Sequence, residues 1–267
     1  MILNLYKQRG ETPLECLNRF KIAYPEHKNE KKTYLGRLDP MAEGVLLVAT
    51  EEDTKQTRKE EFLALDKDYE FVALFGFATD TYDCLGKIIK VEKVENLNEM
   101  DLIKICNLYE GEREQKYPFY SSKQISSRKR SSSESPRVSS FHSARLSSED
   151  FSSKKVLIYK MQFRGLEELK PKELFGRLLM DISKVKGDFR QVEILQIWKE
   201  KLVSAPSPDQ GEGRVGWIAK FSAFVSSGTY IRSIVNDMGA TLGCGACALS
   251  IKRTRVGDYT LTGSLQF

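Results

Sequence analysis

The sequence lacks the features that mark membrane, secreted and disulfide-bonded proteins. It contains no run of about eighteen apolar residues, so we expect no transmembrane helix and no membrane partner. The apolar start of the chain, residues 1–5, is too short for a secretory signal. The five cysteines are odd in number and scattered, which suits a reducing compartment such as the cytoplasm better than a disulfide framework.

Potential metal and cofactor ligands are also few. Cys244 and Cys247 form a single C-x-x-C, and only His27 and His142 could complete a zinc site with them. A zinc site normally needs two more ligands at close spacing. The glycines within residues 204–216 do not stand in the strand-turn-helix context of a dinucleotide site. We therefore expect neither a metal nor a cofactor.

Outside one segment of the sequence, the chain has no net excess of either charge sign. The net charge is +5, from 42 Lys and Arg against 37 Asp and Glu, which does not by itself indicate RNA. Residues 121–155 hold eight basic and three acidic residues, so this segment alone carries an excess of +5. It also holds fifteen serines and few large apolar residues, which predicts a flexible insertion. The clustering suits binding to a polyanion, and the alternative is a solvated loop without a ligand.

What the chain does contain is organised around residues 33–48, T-Y-L-G-R-L-D-P-M-A-E-G-V-L-L-V. Asp39 precedes a proline, which disfavours a helical conformation and predicts a loop. Gly36 and Gly44 flank it and permit backbone angles or close approaches that a side chain forbids. The apolar run that follows fits a buried strand or the start of a helix. Asp39 is a candidate catalytic carboxylate, and the alternative is an aspartate that only caps a turn or helix.

The rest of the chain alternates predicted helices and strands. With 40% hydrophobic residues it can form the core of one large domain. Thr12, Pro13 and Glu15 predict a capped helix start. Residues 79–83, T-D-T-Y-D, suggest a hairpin turn with Asx-type hydrogen bonds, and a cation site is the less favoured alternative. Period and composition predict helices over 54–65, 98–110, 170–185 and 229–242, and strands over 3–6, 67–76, 86–94, 156–163, 188–198, 217–225 and from 255–259 onward.

Six motifs in chain order resemble those of the TruB family of pseudouridine synthases. They span nearly the whole chain, and together they are far more specific than any one of them. They are G-R-L-D-P-M-A-E-G-V-L (36–46), K-D-Y (67–69), F-G-F-A-T-D-T-Y-D-C-L-G (75–86), Gln115 and Pro118 with Y-S-S-K (120–123), S-S-G-T-Y-I-R-S-I (226–234), and L-G-C-G-A (242–246) with K-R-T-R-V-G (252–257).

The resemblance implies an α+β fold. We expect a pseudouridine-synthase-like, mainly antiparallel central sheet flanked by helices, with an RNA-gripping insertion at 121–155. Residues 1–267 would form a single catalytic domain without a C-terminal RNA-binding domain, and we expect a monomer.

The resemblance also implies a reaction. A uridine in RNA would be isomerised to pseudouridine without a cofactor, most plausibly uridine 55 in the T-arm of tRNA. The target would leave its stack to be reached. Asp39 would attack the base or the sugar, or remove a proton to allow a glycal intermediate; these routes stay open.

Two further catalytic residues follow from the resemblance. Arg232 matches the family arginine that pairs with the catalytic aspartate, and a guanidinium favours the ionised form of a carboxylate beside it. The alternative is a phosphate-binding or surface arginine. Tyr69 matches the active-site aromatic, which could stack on the flipped base or assist proton transfer at C5. Otherwise it is a tyrosine of the core.

The remaining candidates are RNA-binding residues. Tyr34 stands where many members of the family have histidine, and Arg37 where many have threonine. Tyrosine can still stack on a base, and arginine can contact a phosphate. Lys252, Arg253 and Arg255 are candidate phosphate contacts or, alternatively, a solvated strand end. The motifs add four more candidates: Lys67, Tyr120, Lys123 and Tyr230.

Three other functions remain open on the sequence. One is a guide-dependent rRNA synthase, which we disfavour because no second RNA-binding domain follows the motifs. Another is an RNA-binding or tRNA-folding module without catalysis, against which the presence of Asp39, Tyr69 and Arg232 argues. The third is an interaction protein that docks through residues 121–155.

Overall fold

The computed structural model describes residues 1–94, 97–118, 120, 153–202 and 216–267. Within these ranges no helix is long and apolar enough to cross a membrane. The described part of the chain forms six α-helices: α1 (Pro13–Ala23), α2 (Gln56–Ala64), α3 (Glu99–Tyr109), α4 (Pro171–Ile182), α5 (Gln191–Leu202) and α6 (Ile231–Thr241).

A nine-stranded sheet forms the centre of the molecule. Its strand order is β1-β3-β10-β4-β9-β8-β7, with β2 added to β3 and β11 to β10, while β5 and β6 form a separate hairpin. Every pairing is antiparallel except that of β3 with β10, so the expected mainly antiparallel α+β fold is confirmed. The strands are β1 (Ile2–Lys7), β2 (Lys32–Leu35), β3 (Ala42–Thr50), β4 (Lys67–Phe75), β5 (Phe77–Thr79), β6 (Ile88–Val91), β7 (Gly111–Lys116), β8 (Ser153–Leu169), β9 (Gly216–Val225), β10 (Ala246–Val256) and β11 (Tyr259–Thr260).

Helices cover both faces of the central strands. Side chains alternate between the two faces of a strand. On β4, Phe71 and Phe75 belong to the core that includes residues of α3 and α6. Leu74 belongs to the core that includes residues of α4 and α5. Tyr69 is two positions from Phe71 on β4, so both side chains lie on the same face of the sheet. Helix α6, which contains Arg232, packs against that face.

Most predicted elements are confirmed. Helix α1 begins with the predicted capping box, in which Thr12 accepts from the Glu15 amide and the Glu15 side chain accepts from the Thr12 amide. The apolar run after Gly44 is strand β3, and Asp39 lies in the loop between β2 and β3. The predicted hairpin around residues 79–83 is present as β5 and β6.

Two predicted strands are wrong. Residues 188–198 were expected to be extended, but Gln191–Leu202 is helix α5. Its buried residues Ile194, Trp198 and Leu202 recur every four positions, which is the helical period. The last long strand begins at Ala246 rather than near Arg255. The predicted loop at 204–216 and the insertion at 121–155 fall mostly outside the described residues.

Candidate active site

The loop that carries Asp39 is fixed by a close approach between β3 and β10. Gly44 pairs with Arg253 in the parallel register. Gly44 has a φ of +109°, and a Cβ added to it would lie 2.2 Å from the Arg253 carbonyl oxygen. Only glycine fits this conformation and this spacing. Gly44 is thus required because β3 and β10, which hold the Asp39 loop, approach each other closely at this residue.

Lys7 supports the same loop from strand β1. Its side chain is fully buried, and Nζ donates to the carbonyl oxygens of Ala42 (2.5 Å), Gln8 (3.1 Å) and Pro40 (3.5 Å). Burial lowers the pKa of Lys7 to about 8. The lysine therefore binds the backbone on the C-terminal side of Asp39 at an electrostatic cost.

Arg253 holds the N-terminal side of the loop. Its Nε donates to the Val45 carbonyl at 2.8 Å, and its two terminal nitrogens donate to the carbonyls of Arg37 (3.3 Å) and Gly36 (3.4 Å). The residue is only 1% exposed. Neither the phosphate contact nor the solvated strand end expected from the sequence fits, because the guanidinium is buried and bonded to the backbone.

Arg232 lies beside Asp39 at the start of helix α6. Its Nε is 2.8 Å from Asp39 Oδ2 and 3.6 Å from Asp83 Oδ2. The Nε–H bond does not point at the Asp39 oxygen, so this contact is an ion pair without an aligned hydrogen bond. Nη1 donates to the Thr81 carbonyl at 2.5 Å. The Asp39 side chain is 41% exposed while that of Arg232 is 5% exposed, which leaves the carboxylate open to a substrate.

Asp83 comes from the turn between β5 and β6 and is buried, with 5% of its surface exposed. Its Oδ1 accepts from the Leu85 amide (3.0 Å), which is the predicted Asx-type hydrogen bond, and also from the Thr81 hydroxyl (2.7 Å). Burial raises the pKa of the Asp83 carboxyl to about 6, and the Arg232 guanidinium opposes this shift. One buried guanidinium therefore lies between an enclosed carboxylate and an accessible one.

Asp39 and Arg232 line a cleft of about 580 Å³. Tyr69, which is 7% exposed, lines it from β4. An accessible carboxylate beside aromatic side chains can receive a planar base and act on it. The cleft gathers nine of the residues that the sequence predicted for the site: Tyr34, Arg37, Asp39, Lys67, Tyr69, Tyr120, Tyr230, Arg232 and Arg253.

Two of these residues have clear structural contacts as well. Lys67 Nζ donates to the carbonyls of Leu63 and Leu65, and burial lowers the pKa of Lys67 to about 8. Tyr230, the residue before α6, is held by Gln115: the Tyr230 amide donates to Oε1 (2.8 Å), and Nε2 donates to the Tyr230 carbonyl (3.0 Å). These bonds fix the backbone next to Arg232.

Two predicted RNA contacts do not face the cleft. Lys252 borders a depression on the other face of the sheet, together with Glu70 and Lys220. The register of β10 with β4 shifts between Arg253 and Arg255, and Arg255 forms an ion pair with Asp68. Asp68 is two positions from Glu70 on β4, so it lies on the same face of the sheet as Glu70. Lys252 and Arg255 are therefore not part of the cleft. Lys123 lies outside the described residues.

Sequence reasoning missed four residues at the site. Asp83 stands inside the motif of residues 75–86, so its motif position could have indicated it, whereas Lys7 lies outside the six motifs. Lys154 belongs to the basic segment 121–155 but was not singled out, and Phe189, which also lines the cleft, carried no sequence signal.

The cysteine pair shows no metal-site geometry. Within the described ranges, no group of three or more His, Cys, Asp or Glu could hold an ion. Cys247 is fully buried, and burial raises the pKa of its thiol, which disfavours a thiolate.

Comparison with known proteins places this geometry in context. The model of a family described as TruB family pseudouridylate synthase (N terminal domain) matches residues 25–138. The chain is 26% identical to tRNA pseudouridine synthase 4 of Schizosaccharomyces pombe, with 97% of this chain and 79% of the relative covered. It is 29% identical to tRNA pseudouridine synthase B of Mycoplasma mobile (98% and 70% covered) and 27% identical to that of Nitrosococcus oceani (97% and 64% covered).

Solved structures share the fold at lower identity. A Cbf5-Nop10-Gar1 complex contains a chain with a TM-score of 0.54 and 20% identity, covering 97% of this chain. An H/ACA RNP bound to a substrate RNA containing 2'-deoxyuridine gives a TM-score of 0.51 at 20% identity, with the same coverage. This chain spans 49% and 48% of those two chains.

The chain therefore shares its fold with the matched chains of those two solved complexes. The family model covers the segment that contains Asp39, and the relatives align with nearly the whole chain, so the chain is similar to TruB-type pseudouridine synthases.

Proposed function

We propose that this chain isomerises uridine in RNA to pseudouridine and that Asp39 is the residue on which the reaction depends. The observation that carries the proposal is the pair of Asp39 and Arg232 at the base of the cleft. Arg232 is buried and held by the Thr81 carbonyl, whereas Asp39 is exposed enough to meet a substrate. A fixed cation beside an accessible carboxylate is the arrangement that a nucleophile or base requires.

The remaining lining supports a base as the ligand. Tyr69 supplies an aromatic side chain to the cleft that Asp39 lines, and the Arg37 guanidinium carbon lies 5.7 Å from the centre of the Tyr34 ring. Aromatic and guanidinium planes bind unstacked bases, and arginine also contacts phosphates. The target uridine would enter flipped out of its stack, with Tyr69 against the base. The three chemical routes available to Asp39 are equally compatible with this geometry.

The substrate we propose is uridine 55 in the T-arm of tRNA. The names of the aligned relatives support it, since those proteins are tRNA pseudouridine synthases. A guide-dependent reaction is the second candidate, because the chain shares its fold with proteins solved in H/ACA complexes. Fold similarity at 20% identity does not carry over the guide, so we favour tRNA.

The test is pseudouridine mapping on an unmodified tRNA transcript incubated with the purified chain and no additive. A single new pseudouridine at position 55 is expected. A transcript with cytidine at position 55 is the matched control and should give none. Product at another uridine would contradict the choice of target, and no product on any RNA would contradict the activity itself.

A further inference from the structure

The loop between α4 and α5, residues 183–190, forms a side of the cleft that the family motifs do not supply. Its residue Phe189 lines the cleft together with Asp39 and Tyr69. Phe189 is half-buried and packs partly against the core that includes residues of α4 and α5. A ring supported on one side and open to the cleft on the other presents a flat surface.

The position of this ring is fixed by its own loop. Gln191 Nε2 donates to the carbonyls of Val185 (3.0 Å) and Gly187 (2.7 Å), and Gln191 Oε1 accepts from the Phe189 amide (2.8 Å). The ring covers the backbone of Gly187, where an added Cβ would lie 3.6 Å from Cε2 of Phe189. The loop backbone that carries the ring is therefore held in place before any ligand enters, which lowers the entropy cost of binding.

Arg190 ties the loop to the motif turn of the active site. Its Nη1 lies 2.9 Å from Asp80 Oδ2, the oxygen that also accepts from the Tyr120 hydroxyl at 3.4 Å. The Arg190 guanidinium carbon lies 5.2 Å from the centre of the Tyr120 ring. Phe189 is thus connected through its neighbour to two residues of the recognised motifs.

We propose that Phe189 is a stacking surface for a nucleobase that neighbours the target uridine in the RNA. Tyr69 is the most deeply buried aromatic residue of the cleft and takes the target base, so a more exposed ring such as that of Phe189 meets the adjacent base. This inference rests on the proposed function and adds a residue that selects how the RNA lies in the cleft. Stacking on an aromatic ring is tolerant of base identity, so the contact supplies affinity and position.

The test separates stacking from packing by exchanging the ring for an aliphatic side chain. RNA binding is measured with an unmodified tRNA transcript in an Asp39→Asn background, so that no turnover intervenes. Phe189→Leu keeps an apolar side chain against the core but removes the aromatic face, and we expect its Kd to rise roughly tenfold. Phe189→Tyr keeps the face and should bind within about twofold of the parent. Val192→Ala, an exposed position 84% accessible on α5, is the control.

The outcomes are distinct. Equal affinity of the leucine and tyrosine variants, whether both weak or both unchanged, overturns the stacking role. Thermal unfolding checks that the leucine variant is folded, and if it is not, Phe189→Met replaces it. Isomerisation by the wild-type chain decides the proposed function separately, because product with unchanged affinity of all variants overturns only the stacking proposal. Absence of binding by the wild-type chain overturns both.

Discussion

Arg232 shows how much a single residue organises at the site. Its guanidinium contacts Asp39, the enclosed Asp83 and the Thr81 carbonyl. The pairing with Asp39 was predicted from the motif order. The contact with Asp83 was not, because the spacing within T-D-T-Y-D indicates a turn and not the neighbour that the turn faces.

We expect Arg232→Lys to reduce activity roughly a hundredfold, since a small misplacement of a reacting group costs that much. A lysine ammonium cannot reach the carbonyl and both carboxylates with the geometry of a guanidinium. The measurement is single-turnover isomerisation, with circular dichroism as the check on folding. A wild-type rate in the lysine variant would show that the ion pair between Arg232 and Asp39 is not needed for the reaction.

Lys252 and Arg253 illustrate a limit of reading residues one by one. In the sequence they form one basic run with Arg255. In the strand they point to opposite faces, so Arg253 is buried under the Asp39 loop while Lys252 borders a different depression. The boundaries of β10 were missed because alanine, cysteine, serine and charged residues are weak strand formers.

At the scale of elements, strand β1 is joined to the active-site loop by the buried Lys7. Burial lowers the pKa of this lysine from its ordinary 10.5 to about 8. Below pH 8 both folded and unfolded chains carry the proton. Between pH 8 and about 10.5 only the unfolded chain does, so this group makes the free energy of unfolding rise with pH.

Lys7→Met should abolish that rise. Relative to the methionine variant, the wild-type free energy of unfolding is expected to increase by up to about 3 kcal/mol between about pH 7.5 and pH 10.5. Urea unfolding at both pH values measures it, with Lys28→Met at an exposed position as the control. A constant difference between wild type and Lys7→Met across this range would show that Lys7 is not held as described.

Helix α5 was predicted as a strand because Val192, Ile194 and Ile197 are β-branched residues, which favour strands. The tertiary contact decides between them: Trp198 Nε1 donates to the Cys84 carbonyl at 3.2 Å, inside the core under α4 and α5. The strands β4 and β9 were predicted correctly because strand-forming residues dominate them over a sufficient length.

At the scale of the whole molecule, charge is distributed unevenly. The segment 121–155 carries the whole net excess of the chain, and its residue Lys154 and the preceding Tyr120 line the cleft. We propose that its cations contact RNA phosphates. Binding to phosphates releases counterions and makes the affinity depend on salt.

Replacing Arg128, Lys129 and Arg130 by glutamine should therefore flatten the dependence of RNA affinity on salt. The slope of log K against log salt concentration is expected to fall by up to about 0.9 for each phosphate that the variant no longer neutralises. Glutamine at the exposed Lys172, Lys199 and Lys201, away from the 183–190 loop, removes the same charge and is the control. Equal salt slopes for the two triple variants would show that these cations of segment 121–155 do not contact RNA phosphates.

The central claim is that Asp39 performs the reaction while the rest of the cleft holds the RNA. The most direct measurement compares Asp39→Asn with wild type in single-turnover isomerisation and in RNA binding on the same unmodified tRNA transcript. Asp258→Asn, an exposed aspartate in the turn after β10, is the matched control. We expect Asp39→Asn to reduce the rate at least about a thousandfold with affinity nearly intact, and Asp258→Asn to leave both rate and affinity unchanged. Retained turnover in Asp39→Asn would contradict the central claim.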